Sequence, residues 1–131
     1  MIADTSAWME MLRGSRSKAG LRLEQVLRKR QRILLPDVVY QELLQGSANP
    51  QQFMRLQTQL DLVPAFVPAD ARETSRQAAM LYARCRWQGI TIRSPNDCLI
   101  AACAIECGEA LLHADTDFDR IAAIEPRLRL A

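Results

Sequence analysis

The chain has 131 residues, of which 49% are hydrophobic and 24% charged, with a formal net charge of +2; this is the balance of a soluble globular domain large enough to bury a core. No apolar run approaches the ~20 residues of a membrane span, and no basic-then-apolar leader opens the sequence, so the cytoplasm is the expected compartment. A single histidine and four cysteines without a C-x-x-C pair exclude a zinc centre of the Cys/His kind, leaving oxygen ligands, and hence Mg2+ or Mn2+, for any metal.

Met1 to Asp4 is a short apolar run ending in an acid, and Thr5 to Leu12 continues as a helix. Asp4 is therefore either the cap of that helix or part of a site at the carboxyl end of a buried strand. Gly14-Ser15 breaks the helix. A second one follows over residues 17–30, with Leu21, Leu23, Val26 and Leu27 as its apolar positions. Residues 13–32 hold eight basic side chains against the single acid Glu24, a net +7 that leaves the rest of the chain at −5. A basic arm beside an acidic remainder suits a polyanionic partner. Taken alone, it is also what a solvated helix face looks like.

Ile33-Leu34-Leu35, stopped by Pro36, reads as the second strand, and Asp37 as the cap of a third helix that ends at Gly46. Asn49-Pro50 opens a fourth helix. Leu62 to Pro68 resembles a third strand, and its two prolines place it at a sheet edge. A long fifth helix covers residues 69–87. Ser94-Pro95-Asn96-Asp97 opens a sixth, apolar on every side and therefore buried, which Gly108 ends. Three of the cysteines fall in this run and read as small buried hydrophobes. Ala110 to Ala114 is the fourth strand, ending at Asp115. Asp117 to Ile124 is a short seventh helix, and Leu128 to Leu130 a last edge strand. Strands alternating with helices imply a parallel sheet covered on both faces, in one domain spanning residues 1–131.

Asp4 and Asp115 each end an apolar strand just before a helix. Asp97 has two readings, half of a capping box or an acid aimed beyond the helix start. Glu42 borders an apolar stripe, where an unpaired acid is seldom buried. Asp117 and Asp119 are accounted for by favourable charge at a helix N-terminus, with a supporting metal role as the alternative. If Asp4, Glu42, Asp97 and Asp115 converge, their repulsion is relieved by one or two divalent cations, which also serve phosphodiester hydrolysis. Thr5 or Ser6 would brace Asp4 or position a water.

Asp4-Thr5-Ser6, Glu42 after Pro36-Asp37-Val38, Asn96-Asp97-Cys98-Leu99-Ile100-Ala101-Ala102 and Leu111-Leu112-His113-Ala114-Asp115-Thr116-Asp117-Phe118 together resemble the PIN-domain ribonucleases. The compact length is similar to that of the VapC toxins of type II toxin–antitoxin pairs. The resemblance implies an αβα fold with strand order 3-2-1-4-5 and about seven helices. It also implies metal-binding and catalytic acids at Asp4, Glu42, Asp97 and Asp115, with Ser6 beside the first. Mg2+ or Mn2+, an RNA substrate, a homodimer and a VapB-like antitoxin complete the expectation, and Arg13, Arg16, Lys18, Arg28 and Arg30 are the candidates to grip RNA. The alternative is a non-catalytic RNA-binding or scaffold domain that keeps the fold. A phosphoacceptor signalling domain does not fit. Thr5-Ser6 stands where it needs a second acid, and the only lysines are Lys18 and Lys29.

Overall fold

The structure is a computed structural model that describes residues 1–131. In chain order the elements are β1 (Ile2–Ala3), α1 (Thr5–Leu12), α2 (Lys18–Arg28), β2 (Leu35–Pro36), α3 (Asp37–Gln45), α4 (Pro50–Leu60), β3 (Ala65–Phe66), α5 (Ala71–Trp87), α6 (Pro95–Cys107), β4 (Leu111–Leu112) and α7 (Asp117–Ile124). All strand pairing is parallel. β1 lies on β4 with Ile2 opposite Leu111 and Ala3 opposite Leu112. β2 lies on β3 with Leu35 opposite Ala65 and Pro36 opposite Phe66. Two single bridges complete the layer. Ile2 meets Leu34 just before β2, and Leu111 meets Leu130 near the C-terminus. Read across, the order is β3, β2, β1, β4 and the Leu130 segment, the expected 3-2-1-4-5.

The ladders are shorter than the apolar runs that announce them, because helices take over the backbone almost at once. Asp4 already caps α1, and Pro36 is both the last residue of β2 and the cap position of α3. Pro36 thus joins the strand it was expected to stop. Its φ of −67° and ψ of 147° are extended backbone, which a proline adopts readily. Asp37, expected as a cap, is the first helical residue instead, where its charge still faces the positive end of the helix dipole. The prolines around β3 do place it at the edge. Pro64 lacks an N–H, but its carbonyl accepts from Leu35 N at 2.8 Å.

A hydrophobic core of 29 buried residues fills both faces of the sheet. α6 is central to it and packs against α3, α5 and α7. Six of its residues from Cys98 to Ala104 are buried, and five of them, all but Ile100, have small side chains that let neighbouring helices approach closely. Gly108 ends it in the left-handed conformation at φ 66°, where glycine carries no Cβ penalty. All four cysteines are free, three of them buried. α2 buries Ala19, Gly20, Leu23 and Val26, whereas Leu21, read as apolar stripe, is 39% exposed. Gly20 is where α2 meets α1. A Cβ there would lie 3.2 Å from backbone atoms of Glu10, Met11 and Ser15. No helix is long and apolar enough to cross a membrane.

Candidate active site

The parallel pairing of β1 with β4 brings the two strand-ending acids to one edge of the sheet. Asp4 follows β1 directly, and its N–H donates to Leu112 C=O at 2.9 Å. The side chain is 3% exposed and does cap α1, its Oδ1 accepting from Ala7 N at 3.0 Å. The two readings of Asp4 are therefore not alternatives: the capping acid also borders the acid cluster. Ser6 joins the strand ends. Its hydroxyl donates to the Asp4 carboxylate, 2.7 Å from either oxygen, and accepts from Ala114 N at 2.9 Å. Thr5 turns the other way and donates to Glu42 Oε1 at 2.8 Å, tying α3 to α1.

Asp97 arrives from the first turn of α6. Ser94 is the N-cap of that helix but makes no side-chain cap bond, and the Asp97 carboxylate accepts no hydrogen bond from the protein. The capping box that would explain Asp97 without function does not form. Carboxylate oxygens of Asp97, Asp115 and Asp117 instead lie within 4.8 Å of one another. Asp4 and Glu42 are outside this tight group, yet near enough that their charges act on Asp97. Asp119 is apart from it. Its side chain is 61% exposed and lies 3.7 Å from His113 Nε2.

Electrostatics sort these acids. Burial, together with the charges of Asp115, Asp4, Asp117 and Glu42, pushes the Asp97 carboxyl up to about 7. Burial also raises Asp4, against the opposing hydrogen bonds from Ser6 and Ala7. Asp117 behaves in the opposite sense. Burial pushes it up, but the Arg93 backbone N–H, the Arg93 guanidinium and Arg120 outweigh that and hold it below the usual carboxylate range. Its Oδ2 accepts from Arg93 N at 3.1 Å and Nε at 3.2 Å, and its Oδ1 from Arg120 at 3.0 Å. With both oxygens engaged and no exposed surface, Asp117 serves as a strut. Asp115 Oδ1 accepts from Arg93 at 2.8 Å and from Asp117 N at 3.0 Å, which leaves its Oδ2 unengaged.

The sequence reading missed both arginines. Arg120 had a local signal, since it stands one turn after Asp117 on the same helix. Arg93 had none, because its partners are 22 and 24 residues away.

A groove of about 910 Å³ lies between α2 and the end of β4. α2 supplies Lys18, Arg22, Arg28 and Lys29, with Glu24 paired to Arg28 at 2.6 Å, and Leu112 and His113 line it from the end of β4. Of the five basic candidates, only Lys18 and Arg28 line it. Arg13 lines a separate depression with Glu42, Met9 and Leu12, Arg16 and Arg30 line neither, and Arg22 and Lys29 are additions.

Comparison with known proteins agrees with this architecture. The PIN domain family model matches residues 1–124. The chain is 37% identical over 125 residues to the VapC ribonuclease Mb1587 of Mycobacterium bovis and to ribonuclease VapC11 of Mycobacterium tuberculosis, covering 95% of this chain and 92% of each of theirs. Among solved structures, VapBC2 from Rickettsia felis bound to a promoter DNA fragment superposes with a TM-score of 0.73 at 23% identity, covering 99% of this chain and 96% of that one. VapBC-1 from nontypeable Haemophilus influenzae gives 0.73 at 24% identity, with 99% and 95% covered. These likenesses carry the fold. The family match over nearly the whole length, with the close relatives beside it, establishes that this chain belongs to the PIN-domain family.

Proposed function

We propose that this protein is a divalent-metal-dependent endoribonuclease and the toxin of a VapBC-type toxin–antitoxin pair, with residues 1–131 working as one nuclease domain in the cytoplasm. The observation that carries the reading is the acid cluster at the β1/β4 edge. Three carboxylates from two parts of the fold, the start of α6 and the turn into α7, lie within 4.8 Å of one another, and Asp97 among them has no protein partner. Arg93 and Arg120 compensate Asp117, and Arg93 pairs with Asp115, but Asp97 has no such partner and is stable in this company only when protonated or beside a bound cation. The donor set is all oxygen, the chemistry that Mg2+ and Mn2+ prefer.

In this reading Asp4, Asp97 and Asp115 hold the metal, and Glu42 completes the cluster or orients the attacking water through Oε2, the oxygen that Thr5 leaves free. One or two ions, when bound, would acidify a water and offset charge on the phosphate. Ser6 keeps the Asp4 carboxylate in one orientation. Asp117 holds the neighbouring loop in place. The groove along α2 binds RNA through phosphate contacts from Lys18, Arg22, Arg28 and Lys29, and delivers it past His113 to the acids. Relatives named as VapC ribonucleases at 37% identity support the nuclease assignment, and the likeness to VapBC structures supports a VapB-type antitoxin as partner. A homodimer follows from the family resemblance.

The test is cleavage of total RNA by purified protein with Mn2+ or Mg2+ and with chelator, alongside Asp4→Asn and Asp97→Asn. Wild type is expected to cut only with the divalent ion, and both variants to lose cleavage while keeping their helical signal. Undiminished cleavage by rigorously purified Asp4→Asn protein would refute the assignment.

A further inference from the structure

We infer that Arg93 is a positioning residue of the site, a fork that clips the start of α6 to the start of α7 and so sets Asp115 against Asp97. The inference rests on the metal-binding reading above and extends it to a residue outside the acid set.

Asp97 reaches the cluster on α6, whereas Asp115 and Asp117 reach it from the turn into α7. Something must hold these two helix starts in register, because the acids themselves repel. Arg93 lies two residues before the first residue of α6 and makes three bonds across the gap. Its backbone N and its Nε both donate to Asp117 Oδ2, at 3.1 and 3.2 Å, and its NH2 group donates to Asp115 Oδ1 at 2.8 Å. One planar guanidinium thus spans two carboxylates, a geometry that a lysine ammonium cannot reproduce. The other Asp117 oxygen belongs to Arg120, so Asp117 anchors the fork. Asp115 is the acid being aimed. With Oδ1 held by Arg93 and by Asp117 N, its carboxylate is fixed in orientation and Oδ2 is left without a protein partner.

The Arg93 side chain is 71% exposed. Asp117 beneath it has no exposed surface, but without this side chain it keeps Arg120 and the backbone N–H of residue 93 as partners. Removal of the Arg93 side chain is therefore expected to act on the geometry of the acids more than on the fold.

Calorimetric titration with Mn2+ separates these effects, using wild type, Arg93→Ala and Arg93→Lys with circular dichroism as the check on folding. Wild type is expected to show a saturable site. Arg93→Ala is expected to bind about 10–100-fold more weakly, the usual consequence of removing a partner that orients a metal ligand. Arg93→Lys keeps the charge but not the fork, and its affinity is expected to fall between the two. If Arg93→Ala does not fold, Arg93→Lys carries the test alone. Arg93→Ala binding as tightly as wild type overturns the inference and leaves the metal site standing. Tighter binding also overturns it, by making Arg93 a competitor of the cation, and wild-type affinity in Arg93→Lys overturns the fork. No saturable binding by wild type overturns the metal-dependent reading and this inference with it.

Discussion

Replacing Asp97 by Asn is expected to make the metal-free protein more stable above neutral pH, although it removes the acid most exposed to its neighbours' charges. The Asp97 carboxyl is raised from 3.8 to about 7 by burial and by Asp115, Asp4, Asp117 and Glu42. A carboxyl raised on folding binds its proton more tightly in the folded chain than in the unfolded one. Its contribution is thus fully present at pH values below 3.8 and is lost as pH rises through about 7. At 1.36 kcal/mol for each pKa unit, the whole span amounts to ~4 kcal/mol at pH 8. Asp97 keeps contact with water, and solvent screening reduces this to about 1–2 kcal/mol. Asparagine cannot ionise, so Asp97→Asn recovers that amount, roughly 4–8 °C in Tm for a chain of this size. Urea or thermal melts in chelator from pH 4 to pH 8 measure it. The readout is the difference between the two proteins, because Asp117 and Glu109, held below their ordinary range, act in the opposite sense in both. The variant should gain stability over wild type between about pH 4 and pH 7 and hold that gain above. Addition of Mn2+ should then reverse the ranking, since at 100 times the Kd a bound ion stabilises wild type by about 2.7 kcal/mol. A variant less stable than wild type at pH 8 without metal would refute the electrostatic account of the cluster.

Ser6→Ala removes the hydroxyl that orients Asp4 and receives Ala114 N–H, and should weaken Mn2+ binding by about tenfold or more in the same titration. Lys18→Ala combined with Arg22→Ala should weaken single-stranded RNA binding and flatten its salt dependence by about 0.7 in log–log slope for each phosphate no longer neutralised. Arg13→Ala combined with Arg16→Ala, outside the groove, should change that slope less. Gly20→Val should lower stability by about 1–3 kcal/mol in a urea melt, because the new Cβ sits 3.2 Å from the backbone of α1 and cannot rotate away.

Local chemistry made much of this fold readable. Helices α1 and α7 begin and end where the sequence places them, and Asn49-Pro50, Ser94-Pro95 and Gly108 mark real boundaries. Strand lengths were not readable, because an apolar run reports burial while a ladder needs paired backbone. Leu62 to Pro68 is seven residues of such a run, and only Ala65 and Phe66 pair. The strand order came from family resemblance, since hydrophobic pattern says which residues are inside and not which strands are neighbours. The site divides the same way. Asp4 and Asp115 were legible as strand-ending acids. Asp97 was ambiguous until the missing cap bond separated the two readings. Asp117 looked like helix-end decoration, because its burial depends on Arg93, which no nearby residue announces. On α2 the basic character was plain, but only the fold decides which arginines line the groove with His113.

The prolines flanking β3 have a consequence beyond topology. β3 pairs on one side only, with β2, and Leu62 and Val67 beside it are 83% and 78% exposed. A greasy, open rim of this kind invites a stranger's strand to add itself and start a growing fibril. Pro64 and Pro68 fix the backbone at both ends of the segment and keep the edge short, so an incoming chain finds only a few residues to pair with. Replacing the two prolines with residues free to extend the strand would leave β3 as the place where the molecule first becomes insoluble.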